Sequence, residues 1–422
     1  MWALVDCNSF FASVERTFHP GLRGKPVCVL SSNDGIIVAL TAEAKRLGLR
    51  RGDALFEVRD IVEKNNVSIF SGNMMLYAAM SKRVVGIIKR SVEKVDQYSI
   101  DECFADLAGY EAHYDLEAYM RDMAGRIKLW TDIPVSVGIA PTKTLAKVGG
   151  KFAKQYPGYH SVCLINTDEK RRKALSMFPL DDVWGIGRRT CEKLLSLGVR
   201  TPLEFADKPG EWVHRHFTKP GVQTWKELNG YPCIDTSEIL QRQNITTSRS
   251  FGTMVTGKEQ MKAAVAHFTA SCANKLRAQG CVAQAVSVFV CSNRFRDDLP
   301  QYYDAATWKL QVGTADTIEL TRAALSVLES IYRPGISYKK AGVILCDISS
   351  ANAVQQILFD TVGNRPERHE LSKTIDNLNH RYGLKAVGLA VEGARSDAWR
   401  SKSEHRSPNY LTELSDILTV QI

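Results

Sequence analysis

The stretch Tyr98-Ser99-Ile100-Asp101-Glu102 places two adjacent carboxylates between two short, largely apolar runs. Residues 95–100 and 103–107 are predicted to form two strands, and neighbouring residues on a regular strand point to opposite faces. A hairpin turn or a β-bulge between the strands would allow both acids to face one site. Taken alone, the stretch fits either a solvated turn or a platform for divalent metal ions, because an unneutralised carboxylate pair is costly to bury.

The composition of the chain indicates a multidomain globular protein with a polyanionic partner. Its 422 residues exceed what one core usually organises, so we expect about two to four domains. The net charge of +9 and the pI of about 9.0 favour nucleic acid as that partner. The ten cysteines contain no Cys-x-x-Cys pair, which predicts free thiols in a reducing cytoplasm. We expect no signal peptide and no membrane span, because neither pattern is present.

The first 165 residues predict a sheet in which the acidic residues converge. When residues 24–72 are set aside as a basic insertion, the order is strand, helix, strand, strand, helix, strand. This order is that of the ferredoxin-like α+β fold, in which the first strand neighbours the central hairpin. Asp6, at the end of the first strand, should therefore lie beside Asp101 and Glu102, although about ninety-five residues separate them in the sequence.

A helix is predicted directly after the first strand, with Asn8 or Ser9 as its N-cap. Phe10 falls on the core stripe of this helix, whereas Phe11 lies one residue off it. Phe11 is therefore either a packing residue for a neighbouring element or a wall of the site.

A phosphate-binding turn is predicted within the helical residues 168–230. Gly185 and Gly187 flank one apolar residue and precede a helix that begins at Arg188, which is the helix–hairpin–helix pattern. Glycines at these positions let backbone N–H groups approach a phosphate oxygen closely. An ordinary corner between two helices has the same pattern.

Residues 241–350 repeat the order strand, helix, strand, strand, helix, strand in a net basic segment. No acidic cluster is present there, so Arg249, Arg294 and Arg296 suit contacts with a DNA backbone better than catalysis. The following tail is polar, with a predicted helix at residues 369–382, and we expect the charged residues 395–407 to be flexible.

The pattern of acids and basic modules predicts nucleotidyl transfer by two Mg²⁺ ions. Asp6 and Asp101 would bridge both ions, with the Cys7 carbonyl as an added ligand and Glu102 on the side of the attacking hydroxyl. Two other functions stay open at this point: a nucleotide cyclase built on the same ferredoxin-like fold, and a non-catalytic DNA-binding repair scaffold.

Four motifs resemble those of the Y-family translesion DNA polymerases. They are the run Asp6-Cys7-Asn8-Ser9-Phe10-Phe11-Ala12-Ser13-Val14-Glu15, the Ser99-Ile100-Asp101-Glu102 stretch, Pro141-Thr142-Lys143-Thr144-Leu145-Ala146-Lys147, and the Gly185-Ile186-Gly187 turn. The resemblance implies a right-hand polymerase with a palm at residues 1–23 and 73–165, fingers at 24–72, a thumb at 166–235, a little finger at 241–350 and a tail at 351–422. It also implies error-prone, template-directed DNA synthesis in the SOS response.

The same resemblance implies roles around the incoming deoxynucleoside triphosphate. Phe11 matches the steric gate that rejects a 2′-hydroxyl, and Phe10 precedes it in the same motif. Positively charged contacts to the triphosphate are implied for Lys45 and Lys154, and a roof over the base pair for Ile36 and Val38. Many relatives have a tyrosine where this chain has Ala42, and Thr41 would then replace the missing triphosphate contact.

The tail also carries an expectation about partners. Gln355, Leu358 and Phe359 resemble the short peptide that docks on a sliding clamp. The family resemblance further implies primer–template DNA, a UmuD-type dimer and a RecA filament as partners, without assigning residues to the last two.

Overall fold

The computed structural model describes residues 1–236, 243–353, 362–382, 386–393 and 401–418. The chain forms two compact units, one of Met1–Ile239 with Glu404–Ile422 and the other of Leu240–Ser403. Within the described ranges, no helix combines the length and apolar character that a membrane span needs. All ten cysteines are free thiols, as the sequence predicts.

The first 165 residues contain eight strands and six helices. In chain order these are β1 (Trp2–Cys7), α1 (Phe10–Phe18), β2 (Val27–Leu30), β3 (Ile37–Leu40), α2 (Ala42–Arg46), α3 (Arg59–Lys64), β4 (Ser68–Ser71), α4 (Met74–Ser91), β5 (Val95–Gln97), β6 (Glu102–Asp106), α5 (Leu116–Thr131), β7 (Val135–Ala140), α6 (Lys143–Gln155) and β8 (Val162–Leu164).

Five of these strands form the palm sheet, in the order β5-β6-β1-β7-β8. Strand β1 pairs antiparallel with β6 on one side and with β7 on the other, while β8 joins β7 in parallel. Strands β5, β6, β1 and β7 have the ferredoxin-like arrangement, so that prediction is confirmed. Strand β8 is an added edge strand. The first strand is therefore central, and Asp6 ends it beside the acidic hairpin.

Alternation along β1 divides the palm core between its two faces. Ala3 and Val5 belong to the core formed with α1, α4 and α5, whereas Leu4 belongs to the core formed with α6. Helix α6 lies unusually close to β7, because a Cβ on Gly138 would come within 2.0 Å of the Ala146 carbonyl oxygen and 2.1 Å of the Gly150 nitrogen.

Helix α1 begins where the sequence predicts, but its N-terminus is built differently. Ser9 occupies the N-cap in a left-handed conformation, with φ 48° and ψ 46°, and makes no capping bond through its side chain. Asn8 instead accepts a hydrogen bond from the Ser136 hydroxyl at 3.0 Å through its side-chain oxygen. The predicted side-chain cap is therefore wrong, because tertiary contacts with β7 orient Asn8 elsewhere.

The finger insertion is a separate small layer with its own core. Its sheet has the order β3-β2-β4, with β2 antiparallel to β3 and parallel to β4. The thumb follows as five short helices: α7 (Asp168–Met177), α8 (Arg188–Ser196), α9 (Pro202–Ala206), α10 (Gly210–His216) and α11 (Lys219–Leu228). The thumb helices share a core with α6 of the palm.

The second unit has the predicted order of elements but a different order of strands. Its elements are β9 (Ile245–Val255), α12 (Lys258–Ala278), β10 (Cys281–Ser292), β11 (Tyr303–Thr314), α13 (Thr317–Ile331), β12 (Tyr338–Ser350) and α14 (Arg365–Tyr382). The sheet order is β11-β10-β12-β9, so the first strand is an edge strand here. Helix α14 is held by a two-pronged ion pair between Arg277 and Asp376, both contacts at 2.7 Å.

The end of the chain corrects one prediction. Residues 404–407 were expected to be flexible because they are charged, yet they pack on the first unit, where Arg406 forms a parallel bridge with Ser71. Ser407 is buried. The prediction is wrong for these residues because an edge strand and a buried carboxylate of the first unit supply hydrogen-bond partners that composition cannot reveal.

Candidate active site

The structure brings the three predicted carboxylates together at the ends of β1 and β6. Asp6 lies opposite Glu102 in the antiparallel register, and directly opposed residues share one face of a sheet. The backbone N–H of Cys7 donates to the Asp101 carbonyl at 2.9 Å, which ties the end of β1 to the turn. Asp6, Asp101 and Glu102 are therefore neighbours through strand pairing.

Ser99 holds the turn that connects the two acids, a role that sequence reasoning missed. Its hydroxyl oxygen accepts hydrogen bonds from the N–H groups of Asp101 and Glu102, at 3.2 and 3.0 Å. The same hydroxyl donates to Oδ1 of Asp101 at 2.6 Å. Serine hydroxyls commonly bond the backbone two residues further along the chain, so the serine itself was the available signal for this turn.

Two lysines of α6 neutralise two of the acids. The Lys154 ammonium donates to Oδ2 of Asp6 at 2.7 Å, and the Lys147 ammonium donates to Oε1 of Glu102 at 2.6 Å. The seven-residue spacing between these lysines puts both on one face of the helix. Sequence reasoning selected Lys154 for the triphosphate and missed Lys147, although Lys147 ends one of the quoted motifs and lies seven residues before Lys154.

Lys147 is also surrounded by aromatic rings. Its ammonium lies 4.7 Å from the centre of the Tyr98 ring and 5.5 Å from that of Trp184. Trp184 donates its indole N–H to the Tyr98 hydroxyl at 3.2 Å. Because Trp184 precedes the Gly185 turn, the predicted phosphate-binding turn is joined to the acidic hairpin of the palm.

The electrostatics of the site favour added positive charge. Burial raises the pKa of Asp6 above its usual range; Lys154 opposes this shift, and the negative charges of Glu102 and Asp101 add to it. Burial also raises the pKa of the Cys7 thiol well above its usual range, and Mg²⁺ prefers hard oxygen ligands to sulfur. Only the backbone carbonyl of Cys7 suits the predicted ligand role.

As the side chains stand, no three His, Cys, Asp or Glu groups in the described ranges converge closely enough to hold a metal ion. Asp6 and Glu102 each engage a lysine, and Asp101 engages Ser99. The donor set nevertheless consists of hard carboxylate oxygens, which suit Mg²⁺. The two ammonium groups show that these oxygens are already placed to accept positive charge, and on that observation the residues fit a divalent cation.

The aromatic pair after β1 divides between core and site. Phe10 is 3% exposed and lies in the palm core, so it would contribute to nucleotide binding by packing against Phe11 and not by direct contact. Phe11 is half-buried, and its ring stacks on Tyr77 with centres 4.5 Å apart and planes at 15°. Tyr77 of α4 is a residue that the sequence did not single out.

The finger residues fall into two groups. Ile36 and Lys45 are exposed and Val38 is half-buried, so a nucleotide could reach these side chains as predicted. Thr41 is 2% exposed, and its hydroxyl oxygen accepts from the N–H groups of Val27 at 3.1 Å and Ala44 at 3.4 Å. The expectation that Thr41 contacts the triphosphate does not fit, because Thr41 is the buried N-cap of α2.

The thumb turn has the backbone that the pattern requires. Gly185 adopts φ +94°, and a Cβ there would come within 2.2 Å of the Thr224 hydroxyl oxygen. The element before the turn is a short 3-10 turn, Leu180–Asp182, where the pattern predicts a helix. Gly187 is the N-cap of α8, and the exposed Arg188 pairs with Glu192 at 2.8 Å.

The three arginines predicted to bind DNA in the second unit are all exposed, but their surroundings differ. Arg296 forms a two-pronged ion pair with Asp298, both contacts at 2.6 Å, which competes with phosphate binding. Arg249 pairs across strands with the buried Ala341, so it leaves the edge strand on the helix side of the sheet. Arg294 lies over the exposed ring of Phe295, 4.9 Å from its centre.

The predicted clamp-binding residues Gln355, Leu358 and Phe359 lie outside the described residues.

Comparisons with known proteins assign the chain to a family. Residues 5–151 match the impB/mucB/samB family, residues 242–358 match the C-terminal domain of that family, and residues 369–420 match a domain of unknown function called DUF4113. Protein UmuC of Salmonella typhimurium is 39% identical over 424 residues, covering 100% of both chains. Protein MucB of Escherichia coli is 37% identical over 418 residues, covering 99% of both.

More distant relatives agree with these matches. DNA polymerase IV of Moorella thermoacetica is 27% identical over 404 residues, covering 92% of this chain and 95% of its own. A solved chimera of the Y-family DNA polymerases Dbh and Dpo4 has the same fold, with a TM-score of 0.66, 20% identity, and coverage of 83% of this chain and 99% of its own. A ternary complex of Dbh DNA polymerase gives a TM-score of 0.53 at 19% identity, with the same coverage. The chain therefore belongs to the impB/mucB/samB family, as a UmuC-like member of the Y-family DNA polymerases.

Proposed function

We propose that this chain carries out error-prone, template-directed translesion DNA synthesis in the cytoplasm during the SOS response. The observation that carries the proposal is the register of the palm, in which Asp6 lies opposite Glu102 while the next residue, Cys7, donates its backbone N–H to the Asp101 carbonyl. This constellation stands at the end of a central strand, in a chain that belongs to a polymerase family. Neither a nucleotide cyclase nor a DNA-binding scaffold accounts for the acids, the thumb turn and the second basic unit together.

Asp6, Asp101 and Glu102, with the Cys7 carbonyl, are the groups that would hold two Mg²⁺ ions. When bound, such ions would activate the primer 3′-hydroxyl and neutralise the leaving pyrophosphate. The chain itself supplies orientation: Ser99 fixes the Asp101 carboxylate, and the sheet fixes Asp6. Lys154 and Lys45 then provide positive charge for the triphosphate, Lys154 from its position at Asp6.

Carboxylate removal tests the reaction. Asp101→Asn should reduce primer extension by about 100-fold or more, because it removes charge where the transition state needs it. Asp122→Asn provides a matched control, since this carboxylate lies on α5 and pairs with Arg126 outside the site. The proposal would be contradicted if Asp101→Asn extended primers on undamaged and lesion-bearing templates at the same rate as the parent protein.

Phe11 is proposed to select the sugar of the incoming nucleotide. Its half-buried ring follows the Asp6 strand end by five residues and is braced by Tyr77. An apolar wall rejects an added hydroxyl by only about 100-fold, so we expect measurable incorporation of ribonucleotides. Phe11→Ala should increase that incorporation, as measured by competition between deoxy- and ribonucleotides. Unchanged sugar selectivity would assign the gate to another residue.

The proposed partners are primer–template DNA, a sliding clamp, a UmuD-type dimer and a RecA filament. DNA contacts are assigned to Gly185, Gly187, Arg188 and the arginines of the second unit, of which Arg296 is the weakest candidate because Asp298 pairs with it. Replacing Leu358 and Phe359 by alanine should reduce clamp-stimulated synthesis and spare distributive synthesis. Primer extension with and without the UmuD-type dimer and activated RecA tests the remaining two partners.

A further inference from the structure

The C-terminal segment, residues 404–418, packs on the first unit beside β4 and α4. The backbone N–H of Ser71 donates to the carbonyl of His405 at 2.9 Å, so the segment forms a parallel bridge at the β4 edge of the finger sheet. Asn73, the N-cap of α4, donates its side-chain amide to the Ser407 carbonyl at 2.8 Å. The segment is therefore fixed to the first turn of the helix that carries Tyr77.

Within this segment, Ser407 contacts a fully buried carboxylate. Its hydroxyl donates to Oε1 of Glu15 at 3.0 Å, and the same oxygen accepts from the Tyr77 hydroxyl at 2.6 Å. Glu15 is 0% exposed and Ser407 is 7% exposed. Among the residues that the structure describes, the second carboxylate oxygen of Glu15 has no hydrogen-bond partner, and two donors, one from α4 and one from the C-terminal segment, orient this carboxylate.

The carboxylate in turn orients an aromatic pair. The Tyr77 hydroxyl donates to Glu15, which restrains the hydroxyl end of the Tyr77 ring, and that ring stacks on Phe11 with centres 4.5 Å apart. A change in the position of Ser407 is therefore transmitted through two hydrogen bonds and one ring contact to Phe11. The whole connection lies within one compact unit.

We propose that Ser407 is a positioning residue for sugar selection: through Glu15 and Tyr77, the C-terminal segment holds the Phe11 ring where it meets the sugar of the incoming nucleotide. The proposal rests on the proposed role of Phe11 as the steric gate. It gives a function to part of residues 369–420, which match a domain of unknown function.

The segment has a second anchor that does not involve Ser407. Tyr410 stacks on Phe18 with ring centres 4.9 Å apart and planes at 17°, and its hydroxyl lies 3.3 Å from Nε2 of His19. Loss of the Ser407 hydroxyl should therefore leave the segment in place. This separates the effect of the Ser407 hydroxyl, which also accepts from the Asn73 amide at 3.3 Å, from the effect of losing the whole segment.

The test measures kcat/KM for a deoxynucleotide and for the matching ribonucleotide, using the full-length chain with its UmuD-type dimer and RecA filament. Ser407→Ala should lower the ratio of the two values by about three- to tenfold, because it removes a hydrogen bond to a buried carboxyl group. Ser407→Thr retains the hydroxyl and should restore most of the ratio. Ser415→Ala, in the exposed part of the same segment, should leave the ratio unchanged.

A purely structural role predicts a different result. If Ser407→Ala lowers both kcat/KM values by the same factor, or if Ser407→Thr is no better than Ser407→Ala, the proposal is overturned. Tyr77→Phe tests the other hydrogen bond to the same oxygen; it keeps the ring and should lower the ratio as Ser407→Ala does. Phe11→Ala distinguishes failure of the gate assignment from failure of the Ser407 proposal. If Phe11→Ala leaves the ratio unchanged, Phe11 is not the gate. If only Phe11→Ala changes the ratio, the role of Ser407 is overturned and the gate assignment stands.

Discussion

Gly138→Ala should disrupt the packing between β7 and α6, the helix that carries Lys147 and Lys154. A Cβ at this position would stand 2.0 Å from the Ala146 carbonyl oxygen and 2.1 Å from the Gly150 nitrogen, where ordinary contact begins at 3.4 Å. The helix would have to move by about 1.4 Å, the difference between 3.4 and 2.0 Å, because both obstacles are backbone atoms. We expect a loss of about 3 kcal/mol in the free energy of unfolding, the upper end for overpacking.

Urea unfolding of the parent and the variant measures this loss. Gly125→Ala provides the matched control: Gly125 is exposed in α5, and no atom of the described residues lies within 4 Å of its added Cβ. That substitution should stabilise the protein by about 0.5–1 kcal/mol, because alanine is the better helix former. In any Gly138→Ala protein that folds, primer extension should fall by about 100-fold, since a displacement of about 1 Å at a catalytic site has that effect. A destabilisation below about 1 kcal/mol would refute the close approach of α6 and β7.

Three further predictions concern the site and its support. Burial raises the pKa of Glu15 above its ordinary value of 4.5, against the opposing hydrogen bonds from Tyr77 and Ser407, so its favourable contribution to stability is complete below pH 4.5 and declines as pH rises through the raised pKa. Unfolding experiments should therefore show Glu15→Gln gaining stability relative to the parent as pH increases from 4.5, and a difference independent of pH would contradict this. Lys147→Met should lower the free energy of unfolding by about 1–3 kcal/mol, since it leaves the Glu102 carboxylate without its ion pair; adding Glu102→Gln should recover part of the loss in a double-mutant cycle, and strict additivity would count against the pair. Thr41→Val should cost about 0.5–2 kcal/mol in unfolding measurements, as the loss of an N-cap does, and Thr41→Ser should retain most of the stability. Neither Thr41 substitution should change the KM for the nucleotide, and an increase for Thr41→Val that Thr41→Ser does not show would restore Thr41 to the triphosphate site.

The palm is the part of the fold that the sequence predicted best. The order of its strands and helices, together with the ferredoxin-like rule, placed Asp6 beside the Asp101–Glu102 hairpin. The strand register confirms this, because Asp6 lies opposite Glu102. The second unit shows the limit of this reasoning. It has the same order of elements, yet its first strand pairs at the edge of the sheet, because the order of elements does not determine which strand a chain pairs with.

The active site also divides into residues that the sequence predicted and residues that it did not. The acids and Lys154 could be selected from motifs, since their chemistry is visible in the residue types themselves. Thr41 was misassigned because a hydroxyl in a finger loop has the same appearance whether it caps a buried helix or contacts a ligand. Tyr77 was missed because an aromatic residue on a helix resembles any other core residue until its ring and hydroxyl partners are known.

The sequence by itself determined the acidic hairpin, the basic balance of the chain and the motifs that indicate its family, because each depends on residue types at short spacings. Only the tertiary structure decided which charges neutralise one another and where the C-terminal segment packs. The pairing of Lys147 with Glu102 joins residues 45 apart in sequence, and that of Ser407 with Glu15 joins residues 392 apart. Contacts over such separations follow from the packing of complete elements, which no local pattern of residues contains.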